Sequence, residues 1–356
     1  MEAGSLDELK NETDQMPAEY LEESRAKSQT ECPAEILLEV RDLSLWIRQG
    51  KCEISILDHL NFRICRGESW GIAGESGAGK SMTIHALTGL LPQGNVRMEG
   101  EILYSDRSER KTDVLRLSGE ARQRYCCGQI SLILQDSMNA LNPYETVEKQ
   151  WGRVIRLHRG RDEDVWEHMI RLLPAFGLSG EDSSDDAVRW KCVGNWEGSR
   201  NQKDSKSREK IENREDAGHR KKTENEEDVG SREDAIRLLK KYPHQISGGM
   251  KQRIAIAMAL ESPAELLIAD EPTTALDALN QRRIADLIRT LCRERNLTLL
   301  YVSHNLGILK ELCTHVMVMR DGKIVEQGRA EEVFGNPKHP YTKQLISQTR
   351  ELQERV

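Results

Sequence analysis

Aromatic residues are scarce in this 356-residue chain, at 4% of positions. No apolar run approaches the roughly 18–20 residues that a membrane-spanning helix needs. A transmembrane pore is therefore not expected from this chain. The acidic, polar start lacks the apolar stretch of a secretory signal. A basic excess is missing too: the formal net charge is -7, which argues against a general nucleic-acid binder. Eight cysteines (Cys32, Cys52, Cys65, Cys126, Cys127, Cys192, Cys292, Cys313) contain no C-x-x-C pair. Free thiols in a reducing compartment are the expectation. The vicinal Cys126–Cys127 pair reads as two ordinary thiols or as a redox or metal pair.

The run Gly74-Glu75-Ser76-Gly77-Ala78-Gly79-Lys80-Ser81 fits G-x-x-x-x-G-K-[ST]. An apolar segment, 69–73, leads into it and a helical pattern follows from Met82, the context a phosphate-binding loop requires. Glycines let backbone N–H groups turn toward a phosphate, and the helix start adds partial positive charge. Lys80 is placed to reach the β- and γ-phosphates of a nucleotide, and Ser81 to offer its hydroxyl to Mg²⁺. A second element follows in Leu266-Leu267-Ile268-Ala269-Asp270-Glu271, an apolar strand ending in two carboxylates. Asp270 suits the Mg²⁺ shell, and Glu271 suits polarisation of an attacking water. Ser247-Gly248-Gly249 opens a helix and reads as another anion-binding N-terminus. Two phosphate sites on one chain suggest that the second serves a nucleotide held by another subunit.

Residues 1–34 are acidic with few apolar positions, and we expect a disordered arm. Strand signals cover 36–40, 54–57 and 60–64, which together suggest a small antiparallel sheet. Further strand signals fall at 100–104, 129–134, 266–269, 297–302 and 316–319. Helical patterns run over 145–178, 234–241, 250–261, 278–295 and 305–313. Asp321-Gly322 is a two-residue hairpin signal. Between about 180 and 232 apolar periodicity vanishes and charged residues of both signs dominate, predicting a disordered insertion. It reads as a partner-binding segment or as a solvated loop. The fold class is α/β, with a mostly parallel sheet around the phosphate loop.

In this order the motifs resemble the nucleotide-binding subunit of an ATP-binding-cassette (ABC) transporter. The resemblance spans about residues 36–346, interrupted by the insertion. It implies a P-loop NTPase cassette with a mostly parallel central sheet, a small antiparallel β subdomain and a helical subdomain. The implied boundaries are 35–330 for the nucleotide-binding domain, about 144–246 for its helical part and 331–356 for a C-terminal element. Ile246–Met250 matches the signature loop, with Met250 where many members have Gln. Gln135 matches the glutamine that links Mg²⁺ and the γ-phosphate to the membrane subunit. Asp277 matches the acidic residue of a dimer-interface loop, and His304 the histidine that contacts the γ-phosphate. The family also stacks an aromatic on adenine; Trp46 is the candidate, with a plain sheet position as the alternative.

The implied activity is ATP hydrolysis, with ATP and Mg²⁺ bound, driving solute import. Implied partners are integral-membrane permease subunits, a second cassette (a paralogue or a second copy) and, indirectly, an extracytoplasmic solute-binding protein. The implied location is the cytoplasmic face of the plasma membrane. Residues 139–143, 242–245 and 333–342 resemble the importers of peptides, nickel and metal-chelating opines. No cysteine follows Cys313, whereas many peptide-importing members carry a cysteine-bearing tail, so nickel or a metal chelate is the leading expectation. Dipeptide or oligopeptide import is the alternative, and a soluble ABC ATPase without transport is the rival from another class.

Overall fold

A computed structural model describes residues 35–91, 95–135, 140–160, 164–178, 224–273 and 277–354. The acidic arm and most of the charged block expected to be disordered lie outside the described residues. The chain divides into two compact units, residues 1–137 with 259–356, and residues 138–258.

The first unit begins with β1 (Ile36–Gln49) and β2 (Cys52–Cys65), two long antiparallel strands. The two strand signals at 54–57 and 60–64 are one strand, kinked at His59, whose φ is 52°. Across it Asp42, at φ 50°, places Oδ1 2.6 Å from His59 Nδ1. This pairing bridges an irregularity in the register, which the alternation of apolar residues does not announce. After β3 (Ser69–Ala73) and helix α1 (Lys80–Thr88), β4 (Val96–Ser105) and the short β5 (Lys111–Asp113) complete a four-stranded sheet of order β2-β1-β4-β5. All its pairings are antiparallel, as the strand signals before the loop imply.

Helix α2 (Gly119–Gly128) leads to β6 (Ile130–Ile133). The second unit then holds helices α3 (Val147–Arg159), α4 (Val165–Leu172), α5 (Glu224–Leu239) and α6 (Gly248–Ala259). Its core is built from Trp151, Ile155, Met169, Leu172 and Leu239, all buried. The side-chain amide of Gln150 ties the incoming chain to α3. It donates to the carbonyls of Asn142 and Glu145 at 2.9 Å and accepts from Asn142 N at 2.8 Å. Helix α5 starts inside the block expected to lack order.

Back in the first unit come β7 (Leu266–Asp270), α7 (Ala278–Arg295), β8 (Thr298–Val302), α8 (Leu306–Leu312), β9 (His315–Arg320), β10 (Lys323–Arg329), α9 (Ala330–Gly335) and α10 (Pro340–Glu354). They form with β3 and β6 a six-stranded sheet of order β10-β9-β3-β8-β7-β6. Every pairing is parallel except that of the edge strand β10. Every residue of β7 and β8 is buried, as continuous apolar runs in a sheet covered on both faces require. Asp321 and Gly322 turn the β9–β10 hairpin with φ of 48° and 78°, both positive as a type I′ turn demands.

The free-thiol expectation needs one correction. Cys52, Cys126, Cys127, Cys292 and Cys313 are free, but Cys65 is disulfide-bonded. Sequence spacing shows only pairs close along the chain, not those made by folding. Cys126 Sγ donates to Thr88 O, so this half of the vicinal pair serves packing.

Candidate functional site

Four parallel strands deliver the candidate residues to one edge of the six-stranded sheet. Because β3, β6, β7 and β8 run the same way, their C-terminal ends lie together. The phosphate loop follows β3, Gln135 follows β6, Asp270 and Glu271 end β7, and His304 follows β8. This is the edge where open α/β sheets bind ligands.

The loop's path depends on glycine. Gly74, Gly77 and Gly79 have φ of 150°, 84° and 101°. A Cβ on Gly74 would stand 2.4 Å from Met319 O, and one on Gly79 2.9 Å from Leu57 Cδ2. Beyond Gly79, α1 starts and points its N-terminus at the loop. It ends at Gly89 in a Schellman turn, with Gly89 N bonded to Ala86 O and Leu90 N to His85 O.

Lys80 is buried and donates from Nζ to Gly74 O at 2.9 Å and Glu75 O at 2.8 Å, curling the loop around its own ammonium. Glu271 Oε1 lies 3.9 Å from Nζ. Burial lowers the Lys80 pKa, opposed by the charges of Glu271 and Asp270. Ser81 Oγ donates to Asp270 Oδ1 at 3.4 Å. Burial holds the Asp270 carboxyl above the usual aspartate range, although the Ser81 bond acts the other way. A carboxylate beside a hydroxyl offers two oxygens of the hard kind that Mg²⁺ takes. Mg²⁺ is commonly held by one or two protein oxygens with substrate phosphates and waters completing its shell. Ser81 and Asp270 fit it. No cluster of three or more metal-ligating His, Cys, Asp or Glu residues exists among the described residues, so a cage that needs no phosphate is not formed there.

Glu271 sits at φ 44°, a left-handed conformation unusual for a residue with a side chain, with its N–H bonded to Val302 O at 3.0 Å. This turn brings Oε2 within 3.3 Å of His304 Nδ1. His304 itself is exposed, so it can meet a ligand at the strand edge.

The remaining candidates take other places. Gln135 is exposed just past β6, the strand paired with β7. Asp277 is exposed and caps α7, accepting from Asn280 N at 2.9 Å and Asn280 Nδ2 at 2.7 Å. Those bonds hold its carboxyl below the usual range. Thr274–Leu276, between Glu271 and Asp277, lie outside the described residues. Trp46 lies in β1 opposite Arg97 of β4, whose guanidinium carbon stands 4.4 Å over the indole. In the second unit Ser247 precedes α6 and its Oγ accepts from Met250 N at 3.3 Å. Gly248 and Gly249 form the first turn, so the helix start expected from the sequence is present. Sequence reasoning missed Tyr341, whose hydroxyl oxygen accepts from Glu75 N in the phosphate loop at 3.2 Å.

A family model described as ABC transporter matches residues 57–274. The oligopeptide transport ATP-binding protein OppD of Salmonella typhimurium is 34% identical over 325 residues, covering 91% of this chain and 79% of that protein. The glutathione import ATP-binding protein GsiA of Escherichia coli is 32% identical over 318 residues, covering 89% of this chain and 42% of GsiA, so this chain spans less than half of that relative. Among solved structures, cbiO1 from Clostridium perfringens, part of the ABC transporter complex cbiONQ, matches with a TM-score of 0.59 at 21% identity. That match covers 90% of this chain and 99% of cbiO1. The dimeric ATP-binding cassette MJ0796 in a post-hydrolysis state with ADP and Pi matches with a TM-score of 0.57 at 21% identity, covering 83% of this chain and 99% of that chain. At such identities the structural likeness shows the cassette fold alone. With the family model, the relatives and the phosphate-loop edge in agreement, this chain belongs to the ABC transporter family, as an ATP-binding subunit that uses ATP and Mg²⁺ and whose ATPase activity is coupled to transport.

Proposed function

We propose that this chain is the ATP-hydrolysing subunit of an importer for peptides or peptide-like solutes. The observation that carries the catalytic half is the convergence of Lys80, Ser81, Asp270, Glu271 and His304 at one sheet edge. The solute half rests on the relatives, which are named for oligopeptide and glutathione transport at 34% and 32% identity. They favour the peptide alternative over nickel, and the expectation of a nickel or metal-chelate importer gives way to it.

In this reading the loop amides and Lys80 hold the β- and γ-phosphates. Lys80 exchanges its carbonyl partners for phosphate oxygens. Ser81 and Asp270, with Gln135, would hold Mg²⁺, which would offset charge on those oxygens. Glu271 takes a proton from the attacking water. His304 orients the Glu271 carboxylate and meets the γ-phosphate. Preformed donors of this kind stabilise charge that develops in the transition state without reorganising. Ser247, Gly248 and Gly249 serve the nucleotide of a second cassette, with Asp277 at that interface, so ATP clamps two cassettes together.

No helix among the described residues is long and apolar enough to cross a membrane, so permease subunits supply the pore. Residues 136–145 are proposed to meet them on the cytoplasmic side; 136–139 lie outside the described residues, while Tyr144 is 88% exposed and open to such a contact.

The test is the ATPase rate of the assembled transporter with its binding protein loaded with either a short peptide or a nickel chelate. Stimulation by the peptide-loaded form is expected. Stimulation by the nickel-loaded form alone would return the chain to the metal branch. Failure of any permease to co-purify would favour an ATPase without transport.

A further inference from the structure

The phosphate loop is held from outside by two elements near the end of the chain. The turn of the β9–β10 hairpin donates Gly322 N to Ala78 O at 3.1 Å. Tyr341, in the first turn of α10, accepts from Glu75 N at 3.2 Å. The two contacts lie on either side of Gly77.

Tyr341 is itself firmly set. It is 5% exposed, and the guanidinium carbon of Arg320 stands 5.0 Å over its ring. The chain entering α10 is fastened to β10 by one carboxylate. Glu326 accepts from Lys338 N at 2.8 Å through Oε1 and from His339 N at 3.0 Å through Oε2. His339 Nδ1 then accepts from Tyr341 N at 3.2 Å. Arg320 and Glu326 belong to the hairpin that also reaches Ala78. Hairpin, α10 entry and phosphate loop are thus one connected hydrogen-bonded assembly. Burial raises the Tyr341 pKa, so the hydroxyl stays a neutral phenol at working pH.

We propose that Tyr341 is a positioning residue for ATP binding, fixing the phosphate loop through the Glu75 amide and so making nucleotide affinity depend on the C-terminal element. The proposal rests on the reading of residues 74–81 as the ATP site. A loop whose remaining amides must converge on one phosphate binds best when it is already ordered. Ordering it only on binding takes affinity away. Releasing the Glu75 amide hands that ordering to ATP. The chemical step is untouched, because Tyr341 meets the loop on its amide side and not Glu271 or His304.

The experiment is Tyr341→Phe in the full chain, assembled with its permease. The substitution keeps the ring under Arg320 and removes one oxygen. KM for ATP is expected to rise about 3- to 10-fold, the range for one lost hydrogen bond. The kcat at saturating ATP should stay within about 2-fold, and Tm of the nucleotide-free protein should hold. An unchanged KM overturns the proposal, as does a fall in kcat and Tm at unchanged KM, the pattern of a merely structural tyrosine. Amide exchange of the 74–79 segment without nucleotide gives an independent reading. Faster exchange in the variant supports the anchor, and unchanged exchange refutes it. Should the ATP-site reading itself fail, the unmutated complex would show no ATPase, an outcome separate from either result.

Discussion

Ser81 Oγ donates to Asp270 Oδ1 across 3.4 Å, joining the first turn of α1 to the end of β7. The bond brings together two residues far apart in sequence at the place where Mg²⁺ is proposed to bind. It also leaves a carboxylate buried with burial raising its pKa. Such a group stabilises the fold at pH below its unfolded pKa, and that contribution is lost as pH rises through the folded value. Asp270→Asn removes the charge. It is expected to raise Tm of the nucleotide-free protein near neutral pH, with the gain shrinking as pH falls toward about 4. The same variant should lose Mg²⁺-dependent ATP hydrolysis. Thermal melts across pH check the first claim, and a Tm that falls at neutral pH would contradict it.

Gly74→Ala tests the loop's backbone. The added Cβ would meet Met319 O at 2.4 Å, and φ of 150° strains any side chain there. A loss of about 1–3 kcal/mol in stability is expected, with weaker ATP binding. Chemical denaturation and a nucleotide-binding titration measure the two effects.

Trp46 carries the adenine-stacking proposal. Trp46→Ala is expected to raise KM for ATP about 10-fold, within the worth of a base–aromatic stack. Arg97→Ala, which removes the guanidinium 4.4 Å from the ring, should leave KM near the unmutated value. An unchanged KM in Trp46→Ala would make the indole a sheet residue braced by Arg97.

The candidate site can be read from the sequence wherever the chemistry proposed for it imposes a local pattern. Gly74–Ser81 must be rich in glycine, and Asp270 and Glu271 must end an apolar strand. Asp321-Gly322 is legible for the same reason, since two adjacent positive φ angles select those residues. What stayed hidden depends on distant parts of the chain. The kink at His59 arises from its pairing with Asp42, and neither residue alone signals it. Tyr341 stood inside a motif recognised only by resemblance, while its contact with Glu75 joins positions 266 apart. Only the start of helix α5 was hidden, because residues 224–232 share the composition of a disordered tract, while the helical pattern begins at Asp234.

Glu271, turned at φ 44° toward His304, is proposed as the base that drives ATP hydrolysis. The most direct measurement is ATP binding and turnover of Glu271→Gln in the assembled transporter. ATP binding should be retained and turnover reduced about 10²–10⁴-fold. Turnover at the unmutated rate would remove Glu271 from the mechanism.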